Sequence, residues 1–313
     1  MKARVKEVIS TVLRVILGLV FCVSAILKLV SINDFEIYLT SLGLFGFDVA
    51  SLLGRILIIA ELVLGVAIVS GWWQRLVYSL TIAMLAVFSA FLLWRIAVGD
   101  SESCHCFGTV VEMNPVQSLL KNLLAVCVLI YLCFSKSIAF FGGWKYKIYV
   151  AVAFSVAALV VIMAINPPDF FLRMTKRVSS DVNVGELAKY TDDTPINQGR
   201  HLVFFYSPDC PHCCHCAAKM EAMINYHRIN RESCYAVFMQ TVNEMDDAVE
   251  AFWQRCAGVG SPYAYKYLHP YLFIPITNGN IPIVCLFEDG KLVKEYDVFT
   301  IDEREITDFL LPR

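Results

Sequence analysis

Apolar residues are concentrated in the first 165 positions of the chain, and most charged residues follow them. A helix that crosses a bilayer needs about 20 apolar residues. Stretches of about that length are Val8–Val30, Leu52–Gly71, Leu76–Val98, Val116–Phe134 and Ile148–Ile165. The pattern therefore predicts a multi-domain protein, with a polytopic α-helical membrane bundle of about five spans over residues 1–165, a linker over 166–180 and a soluble domain over 181–313.

The soluble part alternates between strand-like and helix-like patterns, which predicts an α/β domain. His201–Tyr206 is an apolar run of the kind found in buried strands. The elements expected after it are a helix Cys210–Ile229, a strand Cys234–Thr241, a helix capped by Asn243 and running to about Cys256, a hairpin of Ile281–Phe287 and Lys291–Tyr296 around Asp289-Gly290, and a helix Asp302–Leu311. The segment Gly258–Asn280, rich in Tyr and Pro, is interpreted as a surface insertion, with a lid or docking surface as the alternative.

Basic residues predict the orientation of the spans, because cytoplasmic loops carry an excess of Lys and Arg. They lie before the first span, between the second and third, and between the fourth and fifth, as Lys2, Arg4, Lys6, Arg75, Lys136, Lys145 and Lys147. The connections Ser31–Ser51 and Gly99–Pro115 contain neither Lys nor Arg. We therefore expect a multi-pass protein of the bacterial cytoplasmic (inner) membrane, embedded in lipid, with a cytoplasmic N-terminus and the soluble domain outside.

The overall composition agrees with this division and narrows the functional classes. Hydrophobic residues make up 58% of the chain and the mean hydropathy is +0.60, which is too apolar for a soluble protein. The net charge of −2 gives no indication of nucleic-acid binding. The chain has 12 cysteines, and outside the cytoplasm, where thiols can be kept oxidised, such residues can take part in disulfide chemistry.

The motif Cys210-Pro211-His212-Cys213 follows the first strand of the soluble domain. Pro211 suits the first position of a helix, and the positive end of the helix dipole favours a thiolate at Cys210. Cys210 is then the exposed nucleophile that attacks a partner disulfide, and Cys213 is the thiol that resolves the mixed disulfide. We expect His212 to raise the oxidising power by stabilising the thiolate of the reduced form.

Further cysteines follow the motif at Cys214 and Cys216, which we interpret as a relay or a spare pair. The alternative for the whole cluster is metal binding, because four Cys and two His, including His215, lie within seven residues. Soft thiolates suit Zn(II) and Cu(I), but a closed zinc site usually draws its ligands from two separated pairs. Redox chemistry is therefore favoured over metal, and a disulfide with only a structural role is the third and least favoured alternative. Other cysteines of this domain are expected in its core: Cys234, Cys256 and Cys285.

A second cluster, Ser103-Cys104-His105-Cys106-Phe107-Gly108, lies in the predicted outside loop between the third and fourth spans. A disulfide across Cys104 and Cys106 closes a very small ring, and strained disulfides are more oxidising and more labile. Asn114 and Pro115 are a suitable cap and first residue for the fourth span, so the loop is short. In the metal alternative, Cys104, His105 and Cys106 pass Cu(I) or Zn(II) to Cys210, Cys213, Cys214, His215 and Cys216.

The order of strand, CxxC helix, strand, helix, hairpin and helix over Asp181–Leu311 resembles the thioredoxin-like fold. Ile281-Pro282-Ile283 resembles the cis-proline element of that family, and Cys210-Pro211-His212-Cys213 resembles its oxidising members. The resemblance implies that Pro282 is cis and faces Cys210, where it presents backbone to a substrate strand. The chain departs from the family at Ser207-Pro208-Asp209, which replaces the usual Trp-containing lead-in, and at Cys214 and Cys216.

The phrase Cys104-x-Cys106-Phe107-Gly108, followed by Ser118 and Lys121-Asn122, resembles the MauE family of methylamine-utilisation proteins, which is related to DoxX membrane proteins. The resemblance covers roughly residues 8–165, although Lys121 stands where the family tends to have Arg. MauE works beside a separate thioredoxin-like protein, MauD, and the two are implicated in disulfide formation in an exported enzyme. The chain resembles both parts fused, which implies exported Cys-containing proteins as substrates.

Ionisable residues in the spans are expensive and suggest function by default. Glu61 is closest to the middle of its span and is expected either to pair with an Arg or to handle a proton released by thiol oxidation. Lys28, Arg55 and Arg95 are expected to extend to the outer interface. A quinone between the helices would be chemically suitable as an electron acceptor, and no residue of the sequence identifies one.

Together these features predict a membrane-bound thiol–disulfide oxidoreductase that exchanges electrons between the Cys104/Cys106 loop and the Cys210/Cys213 pair. The direction of electron flow is open, because a reductive pathway would use the same residues. The alternatives are a metal-handling membrane protein with the same Cys and His clusters, and a non-catalytic membrane anchor for a partner complex.

Overall fold

The structure is a computed structural model that describes residues 2–98, 113–135, 144–175, 183–185, 187 and 195–311. The chain divides into two compact units. The first comprises Met1–Tyr38 and Leu52–Asn166, and the second comprises Leu39–Ser51 and Pro167–Arg313.

The first unit is built from long apolar helices. These are α1 (Lys2–Val30), α3 (Phe47–Ser70), α4 (Gln74–Val98), α5 (Pro115–Phe134) and α6 (Trp144–Ile165), with the shorter α2 (Ile32–Ser41) after α1. The last residues of α2 and the first turn of α3 belong to the second unit. Among the described residues, five helices are long and apolar enough to cross a membrane. The predicted spans are confirmed, and the chain is a multi-pass membrane protein.

Local sequence explains where α5 begins. The Asn114 side chain accepts a hydrogen bond from the Gln117 N–H at 2.8 Å, and the Asn114 N–H donates to the Gln117 side chain at 3.2 Å. This reciprocal pair satisfies backbone groups that a helix start leaves open. Pro115 occupies the first turn, where its missing N–H costs nothing. The predicted start of the fourth span is confirmed.

Helices α1 and α3 approach closely at two glycines. A Cβ atom on Gly18 would lie 2.7 Å from the Gly65 carbonyl oxygen, and one on Gly65 would lie 2.8 Å from the Cys22 sulfur. Small residues of this kind let the backbones of membrane helices come into contact. The α1–α3 contact therefore depends on the absence of a side chain at both positions.

Glu61 of α3 forms an ion pair inside the first unit. The Lys28 ammonium lies 2.6 Å from its carboxylate and also donates to the Ser24 hydroxyl at 2.9 Å. Pairing of Glu61 was expected, but with an Arg rather than with a Lys. A charge that is paired and hydrogen-bonded avoids most of the cost of its removal from water.

The expectation that Lys28, Arg55 and Arg95 extend to the interface is wrong for the arrangement seen here. Their exposed fractions are 9%, 2% and 2% respectively. Arg55 pairs with Glu36 and donates to the Asn166 carbonyl at 2.9 Å, while Arg95 donates to the Tyr38 hydroxyl at 2.8 Å. The side chains remain buried because the unit supplies these partners.

The second unit contains a five-stranded mixed sheet. Its strands are β1 (Arg200–Tyr206), β2 (Cys234–Met239), β3 (Ala264–Leu268), β4 (Ile283–Glu288) and β5 (Lys291–Tyr296), in the spatial order β3-β2-β1-β4-β5. β1 is parallel to β2 and β2 to β3, whereas β4 is antiparallel to β1 and to β5. The helices are α7 (Asp169–Thr175), α8 (Pro211–His227), α9 (Met245–Ala257), α10 (Pro270–Thr277) and α11 (Glu303–Leu310).

The central strand β1 separates two hydrophobic cores. Leu202, Phe204 and Tyr206 pack in a cluster with residues of α8, α9 and α11, whereas Val203 and Phe205 pack in a cluster with residues of α10. Successive strand residues point to opposite faces, so a strand buried on both faces must be apolar throughout. The apolar run in the sequence is explained, and the predicted membrane bundle followed by an α/β thioredoxin-like domain is confirmed.

The interpretation of Gly258–Asn280 as a surface insertion is wrong. The segment forms β3, which pairs with β2 in parallel register, and α10, which packs beneath the sheet. Its buried residues include Tyr263, Leu268, Phe273 and Ile276. Lys266 in the strand and Pro275 within the helix break both simple periodicities, which is why the pattern did not indicate these elements.

Two further boundaries differ from expectation. Asn243 does not cap α9; Glu244 precedes the helix and forms no side-chain cap hydrogen bond. Part of the predicted linker is the helix α7, whose Arg173 donates to the Ile301 carbonyl at 2.9 Å and whose Asp169 pairs with Lys219. Polar residues of this segment therefore make specific contacts in the second unit.

If Gly258–Asn280 is part of the fold, truncation of its core should destabilise the sheet. We expect Phe273→Ala, at a residue that is 1% exposed and 6.1 Å from the Phe205 ring, to lower the opening free energy of β2 and β3 by about 3 to 5 kcal/mol. Amide hydrogen exchange of the full chain measures this opening free energy. Tyr271→Ala, on the same helix at 84% exposure, should change the value by no more than about 0.5 kcal/mol. Equal effects of the two substitutions would contradict the assignment.

Candidate active site

Cys210 lies where the chain leaves β1 and enters α8. It is the N-cap of the helix, with extended backbone angles of φ −88° and ψ 115°, and Pro211 occupies the first turn. The turn between strand and helix is closed by the Cys210 N–H, which donates to the Ser207 carbonyl at 3.1 Å. The sequence prediction of a cysteine at a helix start is confirmed.

The Cys210 sulfur acts as the capping acceptor of α8. The Cys213 N–H donates to it at 3.3 Å, and the Cys214 N–H donates to the Cys210 carbonyl at 3.1 Å. An N–H at a helix start that points at a sulfur stabilises negative charge on it. The structure thus supplies the geometry that the reactivity of a nucleophilic thiol requires.

Cys213 has a different environment from Cys210. It is fully buried, whereas Cys210 is half-buried, and its sulfur accepts a hydrogen bond from the Ser207 N–H at 3.5 Å. Burial, followed by the hydrogen bond with Cys210, raises the pKa of the Cys213 thiol well above its ordinary value. One thiol is therefore accessible and the other is protected and protonated, an asymmetry that suits an attacking and a resolving cysteine.

The peptide bond between Ile281 and Pro282 is cis, as the resemblance to the thioredoxin-like fold implied. Pro282 immediately precedes β4, whose first residue, Ile283, pairs with Phe205 of β1. Because the strands are antiparallel, Pro282 and the chain leading to Cys210 lie at the same end of the sheet. This placement is consistent with the prediction that Pro282 faces Cys210.

Cys214 forms a disulfide with Cys256, which joins the first turn of α8 to the last turn of α9 with a Cα–Cα distance of 4.9 Å. Cys214 and Cys216 therefore do not form a spare pair, and that interpretation is wrong. Cys256 packs against the core cluster of Leu202, Phe204 and Tyr206, where it was expected. The bond spans a sequence separation of 42 residues, and no local signal in the sequence indicates a partner at that distance.

Cys216 is fully buried and forms a long contact of 4.0 Å with the Tyr206 hydroxyl. Burial raises the pKa of its thiol to about 12, with a partial opposing effect of the Lys219 charge. Cys234 and Cys285 are buried as expected, and burial raises the pKa of both thiols. Buried thiols with a raised pKa are typical of inert core cysteines, and these three are more buried than Cys210.

This arrangement of side chains does not support the alternative that the cluster binds a metal. Over the part of the chain that the structure describes, no group of three or more His, Cys, Asp or Glu side chains is placed to hold a metal ion. Cys214 is committed to its disulfide, and Cys216 lies in the core. His212 is exposed in the first turn of α8, and His215 is half-buried. Cys104, His105 and Cys106 lie outside the described residues.

Arg255 is a residue of this region that the sequence did not single out. Its guanidinium donates to the carbonyl of the buried Pro208 at 2.6 Å, two residues before Cys210. In the sequence, an Arg beside Cys256 on a helix gives no indication of a role near Cys210. Only the three-dimensional contact between the end of α9 and the turn before α8 identifies it.

Comparisons with known proteins agree with the two parts of the fold. The family model described as methylamine utilisation protein MauE matches residues 6–135. A protein named TlpB from Flavobacterium psychrophilum is 26% identical over an alignment of 344 residues, which covers 92% of this chain and 91% of that protein. No solved structure matches the chain. The chain thus consists of a MauE-family membrane domain joined to a thioredoxin-like domain.

Proposed function

We propose that the protein is a membrane-bound thiol–disulfide oxidoreductase whose reactive sulfur is Cys210. A MauE-family membrane domain joined to a thioredoxin-like domain suggests a membrane-associated thiol–disulfide redox role. The observation that carries the finer proposal is the paired geometry of the two thiols. Cys210 caps α8 and accepts the Cys213 N–H, while Cys213 is buried and protonated behind it.

The chemistry is a pair of sulfur displacements. With the Cys210–Cys213 disulfide formed, a substrate thiolate attacks Cys210, a mixed disulfide forms and Cys213 leaves as the thiolate. A second substrate thiolate then attacks the substrate sulfur of the mixed disulfide, and Cys210 leaves. The substrate gains a disulfide, and Cys210 and Cys213 gain two electrons and two protons. Reduction of a substrate disulfide is the same sequence in reverse.

We propose that Cys104 and Cys106 exchange with the Cys210/Cys213 pair. Attack of the Cys210 thiolate on a Cys104–Cys106 disulfide, followed by attack of Cys213 on Cys210, reforms the Cys210–Cys213 bond and leaves two thiols in the loop. The fusion supports this step, because a tether raises the effective concentration of the partners to the millimolar range when it can span them.

The proposed setting is the outer face of the bacterial cytoplasmic membrane, with exported Cys-containing proteins as substrates. The support is the distribution of Lys and Arg, which lie on alternate connections of the five spans. An extracytoplasmic site also suits stable disulfides such as Cys214–Cys256.

The first test is a trapped intermediate. We expect Cys213→Ala to accumulate mixed disulfides between Cys210 and substrate proteins, because the resolving sulfur is missing. Non-reducing electrophoresis of membranes from cells that express the full chain measures the adducts. Cys216→Ala, at a buried cysteine of the same helix, is the matched control and should give none. Adducts that persist in Cys210→Ala/Cys213→Ala would contradict the role of Cys210.

The second test addresses the coupling of the two clusters. We expect Cys104→Ala to change the fraction of Cys210 that is oxidised in cells, because the pair then loses its exchange partner. Differential alkylation followed by mass spectrometry of the Cys210 peptide measures this fraction. Cys127→Ala, at an exposed cysteine of α5, is the control and should leave it unchanged. An unaltered oxidised fraction in Cys104→Ala would refute the proposed exchange.

The third test addresses orientation. We expect a membrane-impermeant maleimide to label both Cys104 and Cys210 from outside the cytoplasmic membrane after mild reduction. A cysteine introduced by Arg75→Cys, on the opposite side of the spans, should be labelled only after permeabilisation. Labelling of the two clusters from opposite faces would end the proposal that they exchange electrons.

A further inference from the structure

The end of α9 is tied to the active-site turn at two points. The Cys214–Cys256 disulfide lies four residues after Cys210, and the Arg255 hydrogen bond to the Pro208 carbonyl lies two residues before it. We call these two ties the α9 clamp. The proposed exchange makes no use of either, so their role is a separate question.

The hydrogen bonds that shape the site lie between the two ties. They are donated by the Cys210 N–H to the Ser207 carbonyl, by the Cys213 N–H to the Cys210 sulfur, by the Cys214 N–H to the Cys210 carbonyl and by the Ser207 N–H to the Cys213 sulfur. They belong to a turn and to the first turn of a helix. Helix ends fray, because their first N–H groups have no partner within the helix. A constraint that keeps this turn in place therefore also keeps the hydrogen bond from the Cys213 N–H to the Cys210 sulfur in place.

The clamp is attached to a rigid element. Phe252 and Trp253 of α9 are each at most 1% exposed, and the Trp253 ring lies 6.1 Å from that of Tyr206 at the end of β1. The first core therefore fixes α9 relative to the strand from which the active-site turn departs. Arg255 and Cys256 follow Trp253 along α9, and their contacts with Pro208 and Cys214 hold the chain on both sides of Cys210.

We propose that Arg255 and the Cys214–Cys256 disulfide are positioning groups that hold the Cys210 sulfur against the Cys213 N–H, and that this disulfide stays intact while Cys210 and Cys213 cycle. The proposal rests on the proposed function. Side chains at adjacent helix positions do not face each other, so Cys213 is poorly placed to attack its neighbour Cys214. In this proposal the bond neither forms nor breaks in the exchange, so it needs no electron donor.

The consequence is measurable in the redox equilibrium of the pair. The Cys213 N–H stabilises the thiolate of the reduced form, so a looser turn makes the reduced form less favourable and the pair less oxidising. We expect Cys214→Ala/Cys256→Ala and Arg255→Met each to shift the equilibrium constant with glutathione about fivefold toward the disulfide, a change of the size caused by loss of a helix cap. Arg255→Lys should retain most of the wild-type value, because its ammonium can also donate to the Pro208 carbonyl.

The experiment uses the full chain purified in detergent, equilibrated in glutathione buffers, with Cys210, Cys213, Cys214 and Cys256 quantified separately by differential alkylation and mass spectrometry. Val249→Ala is the matched control, because it weakens the packing of α9 and leaves both ties in place. It should lower the thermal stability of the second unit and leave the equilibrium constant within about twofold. Such a result separates positioning of Cys210 from general destabilisation.

An unchanged equilibrium constant in the clamp variants would overturn the proposal, as would an equal shift in Val249→Ala. Reduction of Cys214–Cys256 at the same glutathione ratio as Cys210–Cys213 would also overturn it, because the disulfide would then take part in the cycle. These outcomes are independent of substrate. A failure of Cys213→Ala to trap substrates, with the expected shifts present, would remove the proposed function and leave the clamp standing.

Discussion

Strand β1 is buried on both faces, and this constraint determines where the turn after it, the start of α8 and the neighbouring strand β4 lie. The strand is apolar from Leu202 to Tyr206, so the chain remains in the centre of the sheet until the polar turn that begins at Ser207. The helix after the turn must then start at the end of the sheet, with Cys210 as its cap. The same strand holds β4 in antiparallel register, which brings the cis bond before Pro282 to that end.

The difference in burial between Cys210 and Cys213 is a result of helix geometry. A side chain at the N-cap lies outside the helical backbone, whereas one three residues later points back over the first turn toward the core. Cys210 is thereby left half-buried and Cys213 fully enclosed. The unequal burial of the two sulfurs thus follows from their positions relative to one helix start.

Local patterns in the sequence predicted those parts of the molecule that depend on neighbours along the chain. The spans follow from length and hydropathy, β1 from its apolar run, and the start of α8 from Pro211. Contacts between distant segments were not predictable, as with Cys214 and Cys256, Arg255 and the Pro208 carbonyl, or Lys28 and Glu61. The elements β3 and α10 were missed for the opposite reason, because Lys266 and Pro275 obscure their periodicity although their apolar residues are buried.

The glycines at the contact of α1 and α3 have a consequence for variation in the membrane domain. Where these helices face hydrocarbon, a substitution is constrained by its hydrophobicity. At Gly18 and Gly65 volume is the limit, because even one methyl group would collide with the opposite backbone or with the Cys22 sulfur. An alanine scan would record these two positions as intolerant although alanine is an excellent helix former. The contact between α1 and α3 thus limits side-chain volume at two positions, and a hydropathy profile does not show this limit.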